Sequence, residues 1–140
     1  MSDITGFRKD LNKFAEKIGV QVEVAIKKIA LQTFTGIVKK TPVDKGRARA
    51  SWVIGVEQID TSRPFGPNTK FTESEATLQA FKELRELSKI KPTSTVFISN
   101  SLPYILRLEK GSSKQAPEGM VEVTLAEVGR DIKRIEREFK

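Results

Sequence analysis

The chain has 140 residues and a formal net charge of +7, from 25 Lys and Arg against 18 Asp and Glu, with neither cysteine nor histidine. A domain of this length buries enough apolar surface to fold without a disulfide or a structural metal. The composition excludes cysteine nucleophiles, cysteine zinc sites and histidine bases. We therefore expect no cofactor and no metal, and enzymatic activity becomes a remote expectation.

The first part of the chain predicts a long helix. Apolar residues recur at steps of three and four, which is the pattern of an amphipathic helix. They are Ile4, Phe7, Leu11, Phe14 and Ile18, and then, after Gly19, Val22, Ala25 and Ile29, with the polar Thr33 continuing the spacing. The second half is apolar around much of its circumference, so we expect it to contact more than one neighbour, another copy of the chain included. The alternation of Val20, Val22 and Val24 leaves a strand as the competing prediction there.

The N-terminal residues show no apolar run of the kind that forms a signal peptide. No window approaches the roughly 20 apolar residues of a membrane span. We expect a soluble, cytosolic protein without membrane contact, at least before any assembly.

Residues 41–54 join the helical pattern to an alternating one. Pro42 lacks an amide hydrogen and disfavours a helical Thr41, so the helix is predicted to end near Lys40. Residues 44–46, Asp-Lys-Gly, are typical of a turn, in which Gly46 is free to take a positive φ.

A strand is predicted over residues 51–59. Arg47 and Arg49 stand two apart at its entry, where they would point to the same side. Trp52, the only tryptophan, is predicted to reach the core, with Ile54 and Val56 on the same face.

The remainder alternates loops with short elements. Residues 60–72 contain two prolines and a glycine and predict a loop, either mobile with a contact role or a disordered insert. Residues 73–90 predict a helix, capped by Thr72 or Ser74 and burying a stripe. The stripe is Ala76, Ala80, Leu84 and Leu87.

The last third adds a strand and two helices. Residues 95–99 are strongly β-prone, and Pro103 opens a short helix over residues 104–109. A polar loop, expected to be mobile, covers residues 111–118, and an amphipathic helix follows it. Its apolar stripe is Val121, Leu125, Val128, Ile132, Ile135 and Phe139. The order predicts one α+β domain over residues 1–140, with a long N-terminal helix and a C-terminal helix packed on a small antiparallel sheet.

A basic cluster is the one constellation that points to a ligand. It consists of Lys39, Lys40, Lys45, Arg47 and Arg49. These side chains could contact phosphates, although a solvated turn explains the charge equally well. The cluster lacks the interleaved aromatic residues of single-strand binders, and the chain has neither a helix-turn-helix nor a zinc-finger pattern. It also has no Walker-type phosphate loop.

Two motifs carry a resemblance to a known family. Residues 41–52, Thr-Pro-Val-Asp-Lys-Gly-Arg-Ala-Arg-Ala-Ser-Trp, resemble the signature T-P-V-D-T-G-x-L-R-x-S. Residues 100–111 resemble a second signature, N-x-x-P-Y-A-x-x-x-E-x-G. Both belong to the tail-completion or neck proteins of long-tailed double-stranded DNA phages, the lambdoid gene-product-ten-like putative tail components. The residues that match or stand beside these patterns are Pro42, Asp44, Gly46, Arg47, Trp52, Asn100, Pro103, Tyr104, Glu109 and Gly111.

The resemblance covers about residues 25–119, with both motifs in the family's order and spacing. Ala48 stands where the family has leucine, and Ile105 where it has a small residue. The helix stop at Pro42 and the corner at Pro103 fit any α+β fold as well. Glu109 is expected either to pair with Arg47 or Arg49 or to be a solvated helix-end residue.

The resemblance implies a structural virion protein, a minor tail or head–tail connector component that completes the tail or joins it to the head. It implies a ring oligomer, with a hexamer as the first guess, and other phage neck and tail proteins as partners. Nonspecific contact with packaged DNA would follow from the basic cluster. The expected location is the virion junction, and the host cytoplasm during assembly. The alternatives are a tail terminator, a head-closure protein and a stand-alone nonspecific DNA-binding protein.

Overall fold

The protein is described by a computed structural model that covers residues 22–62 and 64–138, without the side chains of Val22 and residues 135–138. The helical pattern predicted over positions 4–18 lies outside the described residues, as do the side chains of Ile135 and Phe139. The elements in chain order are α1 (Val22–Lys40), α2 (Arg47–Ala50), β1 (Val53–Val56), α3 (Glu73–Phe81), a 3-10 helix (Lys82–Lys89), β2 (Val96–Ser99), α4 (Ile105–Glu109) and α5 (Val121–Glu138).

Helix α1 ends where the proline predicts. The amide of Thr41 donates to the carbonyls of Ile37 and Val38 at 3.1 and 3.2 Å, which closes the last turn. Pro42 follows and cannot continue the helix. Val22 and Val24 are helical, so the competing strand prediction is wrong at these positions; a helical period over the following residues outweighs a short alternation.

In the part of the chain that the structure describes, the sheet has two antiparallel strands, with Val53 opposite Ser99 and Gly55 opposite Phe97. Side chains of Ile54 and Ile98 lie on the face that packs in the core. The predicted strand over 51–59 is too long. It ends at Val56 because the next residue, Glu57, has a φ of 72°, a conformation that extended chains do not adopt.

Helix α2 was not predicted. Gly46 precedes it with a φ of 83°, as its turn position requires, and the amide of Ala50 donates to the Gly46 carbonyl at 3.0 Å. Arginine and alanine are strong helix formers, and the turn therefore opens into one helical turn. The prediction that Arg47 and Arg49 point to the same side of a strand is wrong.

Helix α3 begins at a capping box. The Thr72 hydroxyl accepts from the Glu75 amide at 3.2 Å, and the Glu75 carboxylate accepts from the Thr72 amide at 3.0 Å. The α-helix predicted to run to Ile90 ends at Phe81 and continues as the 3-10 helix. There Glu83 Oε1 accepts the amide hydrogen of Ile54 at 3.1 Å, which fixes the 3-10 helix against the free side of β1.

Helix α5 packs on α1 along a polar and small-residue seam. A side chain at Gly36 would collide with Thr124 at 2.7 Å, so glycine permits the close approach. Lys40 Nζ donates to Glu127 Oε2 at 2.9 Å farther along the seam. The core lies between α1, the sheet and the α3 region; its buried members are Phe34, Ile37, Val38, Trp52, Ile54, Ala80, Ala116 and Met120. The predicted α+β class, with an N-terminal and a C-terminal helix flanking a small antiparallel sheet, is confirmed.

Candidate functional site

The first motif folds into a corner around Thr41. The Trp52 indole Nε1 donates to the Thr41 hydroxyl at 2.8 Å, and that hydroxyl donates to the Ile37 carbonyl at 2.7 Å. Thr41 is fully buried and Trp52 is 5% exposed, so the prediction that Trp52 reaches the core is confirmed. A buried indole needs a partner for its N–H, and the threonine of the motif supplies it.

Arg49 holds this corner from inside. Its Nε donates to the Thr41 carbonyl and its Nη2 to the Lys39 carbonyl, both at 3.0 Å. Its Nη1 lies 3.2 Å from the Thr77 hydroxyl and 3.4 Å from Glu73 Oε1 on α3. The guanidinium therefore joins the end of α1 to α3. With the side chain only 10% exposed, this placement argues against the prediction that Arg49 contacts DNA or a partner.

The rest of the basic cluster is dispersed rather than assembled into one surface. Arg47 Nε donates to the Phe65 carbonyl at 3.0 Å and the residue is half-buried. Lys40 is paired with Glu127 at 2.9 Å. Lys39 and Lys45 are exposed, so the DNA contact that remains possible rests on fewer cations than the sequence suggests.

The two motifs meet at Asn100. Its Nδ2 donates to the carbonyl of Ala48 in α2 at 2.9 Å, and its Oδ1 accepts the Leu102 amide at 3.2 Å. The side chain thus builds the turn after β2 and attaches that turn to the first motif. Pro103 follows in an exposed turn, and Tyr104, half-buried, is the N-cap residue of α4.

Glu109 caps the last helix. Its Oε1 accepts the amides of Met120 and Val121, both at 2.9 Å, and its Oε2 accepts the Glu122 amide at 3.2 Å. These are the amides at the N-terminus of α5, where a carboxylate also complements the helix dipole. Both expectations for Glu109, an ion pair with Arg47 or Arg49 and a solvated residue, are wrong.

Two glycines let the connection fold back to this carboxylate. Gly111 and Gly119 have φ values of 91° and 86°, a region that favours glycine. A side chain at Gly119 would collide with the Glu109 carbonyl and carboxylate. Gly119 was not singled out in the sequence, because its need for a small residue arises from a contact ten positions away.

Gln115 ties the same loop to the first motif. Its Oε1 accepts the Val43 amide at 3.0 Å and its Nε2 donates to the Val43 carbonyl at 3.2 Å. A glutamine amide in a polar loop gives no local signal of such a contact, and sequence reasoning missed it. Pro42 is buried and Asp44 is exposed on either side of Val43. The mobility predicted for residues 111–118 stays a prediction.

An open cleft of about 410 Å³ lies between the end of α1 and this loop. Its polar lining includes Lys39, Lys40, Arg49, Gln115 and Glu118. The cations that line it largely have partners already, namely Glu127 for Lys40 and the contacts of Arg49. The cleft therefore offers little free charge to a ligand.

The other loop, residues 60–72, also contacts the first motif. Besides the Arg47 contact, the Phe71 amide donates to the Lys45 carbonyl at 2.7 Å, and the Phe65 and Phe71 rings meet edge to face at 4.9 Å. At its start, hydrogen bonds from Ser62 lower the pKa of Asp60. Whether the loop is mobile is not tested by these contacts and stays a prediction.

The described residues contain no group of three or more acidic side chains placed to hold a metal ion. No helix in that part of the chain combines the length and apolarity needed to cross a bilayer. In comparisons with known proteins, no family model, no curated protein and no solved structure matches the chain.

Proposed function

We propose that the protein is a structural component of the head–tail junction of a long-tailed double-stranded DNA phage. It completes the tail, joins it to the head, or does both, as a ring of identical subunits and without catalysis. The proposal begins from the resemblance of residues 41–52 and 100–111 to the neck and tail-completion proteins, and the comparisons with known proteins add nothing to it.

The observation that supports the proposal most is the contact between the two motifs. They lie about fifty residues apart, yet Asn100 bonds the Ala48 carbonyl at 2.9 Å. Further along the second motif, Glu109 caps α5, and α5 packs on α1 next to the first motif. If the two matches had arisen by chance, the matching segments would have no reason to contact each other in the fold. Their contact therefore favours a common ancestry of this chain with that family.

A ring also requires surfaces for neighbours. Val24 and Leu31 lie seven positions apart on α1, hence on one side of the helix, and are 39% and 43% exposed. They are apolar positions that a head-to-tail contact could cover, with one face of a subunit meeting a different face of the next.

The alternatives differ in which layer of the junction the protein forms. A tail terminator or head-closure protein shares the fold class and size, and the two motifs are what favour a tail-completion protein over them. The stand-alone DNA-binding alternative is weakened, because Arg49 is buried and Lys40 is paired.

The decisive experiment is a stop codon early in this gene in the parent phage, followed by electron microscopy of the lysate. We expect filled heads and finished tails that do not join. Wild-type protein supplied from a plasmid should restore joining, Asn100→Ala should restore it poorly, and Ser101→Ala should serve as the matched control. Normal infectious particles without the protein would contradict the proposal, and unfinished tails of variable length would favour the terminator.

A further inference from the structure

The sheet is closed on one side and open on the other. On the free side of β1 the Ile54 amide already donates to Glu83 Oε1 at 3.1 Å. On the other side of the two-stranded sheet, no third strand pairs with β2 within residues 22–62 and 64–138. The outer edge of β2 is therefore the one place where the described sheet can grow.

The register shows which backbone groups face outward. Because the Ile54 amide points away from β2, the pair Ile54–Ile98 is a non-hydrogen-bonded pair of the antiparallel ladder. Gly55–Phe97 is then a hydrogen-bonded pair. It follows that Val96 and Ile98 direct their N–H and C=O groups to the outer edge.

The sequence of β2 and of the residues next to it lacks the charged residues and prolines that commonly protect an edge against pairing. Native edge strands are commonly blocked by lysine, proline, a bulge or a covering segment. From Pro92 to Leu106 the sequence contains no charged residue, and between Pro92 and Pro103 it contains no proline. All four residues of β2 are half-buried rather than buried, so an added strand would cover apolar surface as well.

We propose that β2 pairs with β2 of a second copy of this chain, antiparallel and about a two-fold axis at Phe97. In that register Val96 of one copy exchanges both hydrogen bonds with Ile98 of the other, and the reverse pair does the same. The two Phe97 residues form a non-hydrogen-bonded pair on the face opposite the core. The uncharged edge is complementary to itself, and a second identical strand satisfies every outward group of the first.

The blocked edge at Glu83 explains why such pairing closes as a dimer. If both edges of the sheet were open, each copy could pair with two others and the assembly would continue into a fibre. A two-fold contact through the single open edge uses the same patch on both copies and therefore ends at the dimer. The inference does not depend on the proposed function, because the edge has this geometry whatever assembly the protein joins.

The first test is the mass of the full-length protein by size-exclusion chromatography with light scattering, over a series of concentrations. We expect twice the chain mass of 15.7 kDa. Phe97→Lys should give the single-chain mass, because it places two lysines directly opposite each other. Leu78→Lys, at a position 64% exposed on α3, should remain a dimer. Circular dichroism verifies that each variant is folded.

The second test does not depend on Phe97→Lys folding. The chain has no cysteine, and Cα atoms of a non-hydrogen-bonded pair lie about 4.5 Å apart, within disulfide range. Phe97→Cys should therefore form a covalent dimer under mild oxidation at least tenfold faster than Leu78→Cys. A monomeric wild-type protein, equal cross-linking of the two variants, or an oligomer unaffected by Phe97→Lys would each overturn the proposal; a monomer would leave the edge to a strand of another protein.

Discussion

Replacing Arg49 should destabilise the fold through lost backbone contacts rather than through a lost ion pair. In Arg49→Ala the carbonyl of fully buried Thr41 loses its 3.0 Å donor, and an unsatisfied buried acceptor costs about 1–3 kcal/mol. The aliphatic stem of Arg49 is also buried, and the two methylenes that alanine lacks contribute roughly 1.6 kcal/mol. Together we expect the free energy of unfolding to fall by roughly 2.5–4.5 kcal/mol.

Two companion variants measure how the loss at Arg49 divides between hydrogen bonds, side-chain burial and the ion pair. Arg49→Met keeps most of the stem and removes the donors, so it should cost about 1–3 kcal/mol. Glu73→Gln removes the ion pair, which spans 3.4 Å to a carboxylate 76% exposed, and should cost less than about 1 kcal/mol. Urea unfolding followed by circular dichroism gives all three values. Glu73→Gln costing as much as Arg49→Ala, or Arg49→Met as stable as wild type, would refute the reasoning.

Three further predictions concern the cap, the turn and the capping box. Glu109→Gln should lower the free energy of unfolding by roughly 1–3 kcal/mol, because the glutamine amide accepts fewer hydrogen bonds from α5 and carries no charge. Urea unfolding measures this loss, with Glu118→Gln, a change of an exposed acid in the adjoining loop, as the control. Equal stabilities of the two variants would contradict the prediction. Gly46→Ala should lower the free energy of unfolding by at least about 2 kcal/mol, because φ at this position is 83° and the new Cβ would lie 2.7 Å from Phe71. An unchanged thermal midpoint would contradict this prediction. Hydrogen bonds from the Thr72 backbone and side chain lower the pKa of Glu75. The stability that they confer is complete above the ordinary pKa of 4.5 and is lost as the pH falls through the lowered value. Thr72→Ala keeps the backbone donor and removes the side chain, so it should raise the pKa of Glu75 part of the way back in a carbon-13 NMR titration; an unmoved titration would reject the Thr72 side chain as a cause of the shift.

The elements that rest on local chemistry could be predicted from the sequence. Pro42 and the two lysines before it locate the end of α1, and the helical period locates α5. Thr72 was one of two predicted caps, and its box with Glu75 decides between it and Ser74. In each case the deciding residues lie within one or two turns of each other.

The parts that could not be predicted depend on partners far along the chain. Glu109 was expected either to pair with Arg47 or Arg49 or to be solvated, yet its carboxylate accepts backbone amides that are free only because α5 begins there. In the sequence Arg49 resembles a surface cation, whereas in the fold it contacts Lys39, Thr41 and α3 and is buried. Charge and spacing describe what a side chain can do, whereas its actual partner depends on which backbone groups the fold leaves without one.

The most direct test of the account is the location of the protein in the phage particle. An antibody raised against the purified chain, with gold labelling and electron microscopy of intact virions, should mark the junction between head and tail at one site per particle. Absence of the protein from purified virions, or label spread along the tail or over the capsid, would contradict the account.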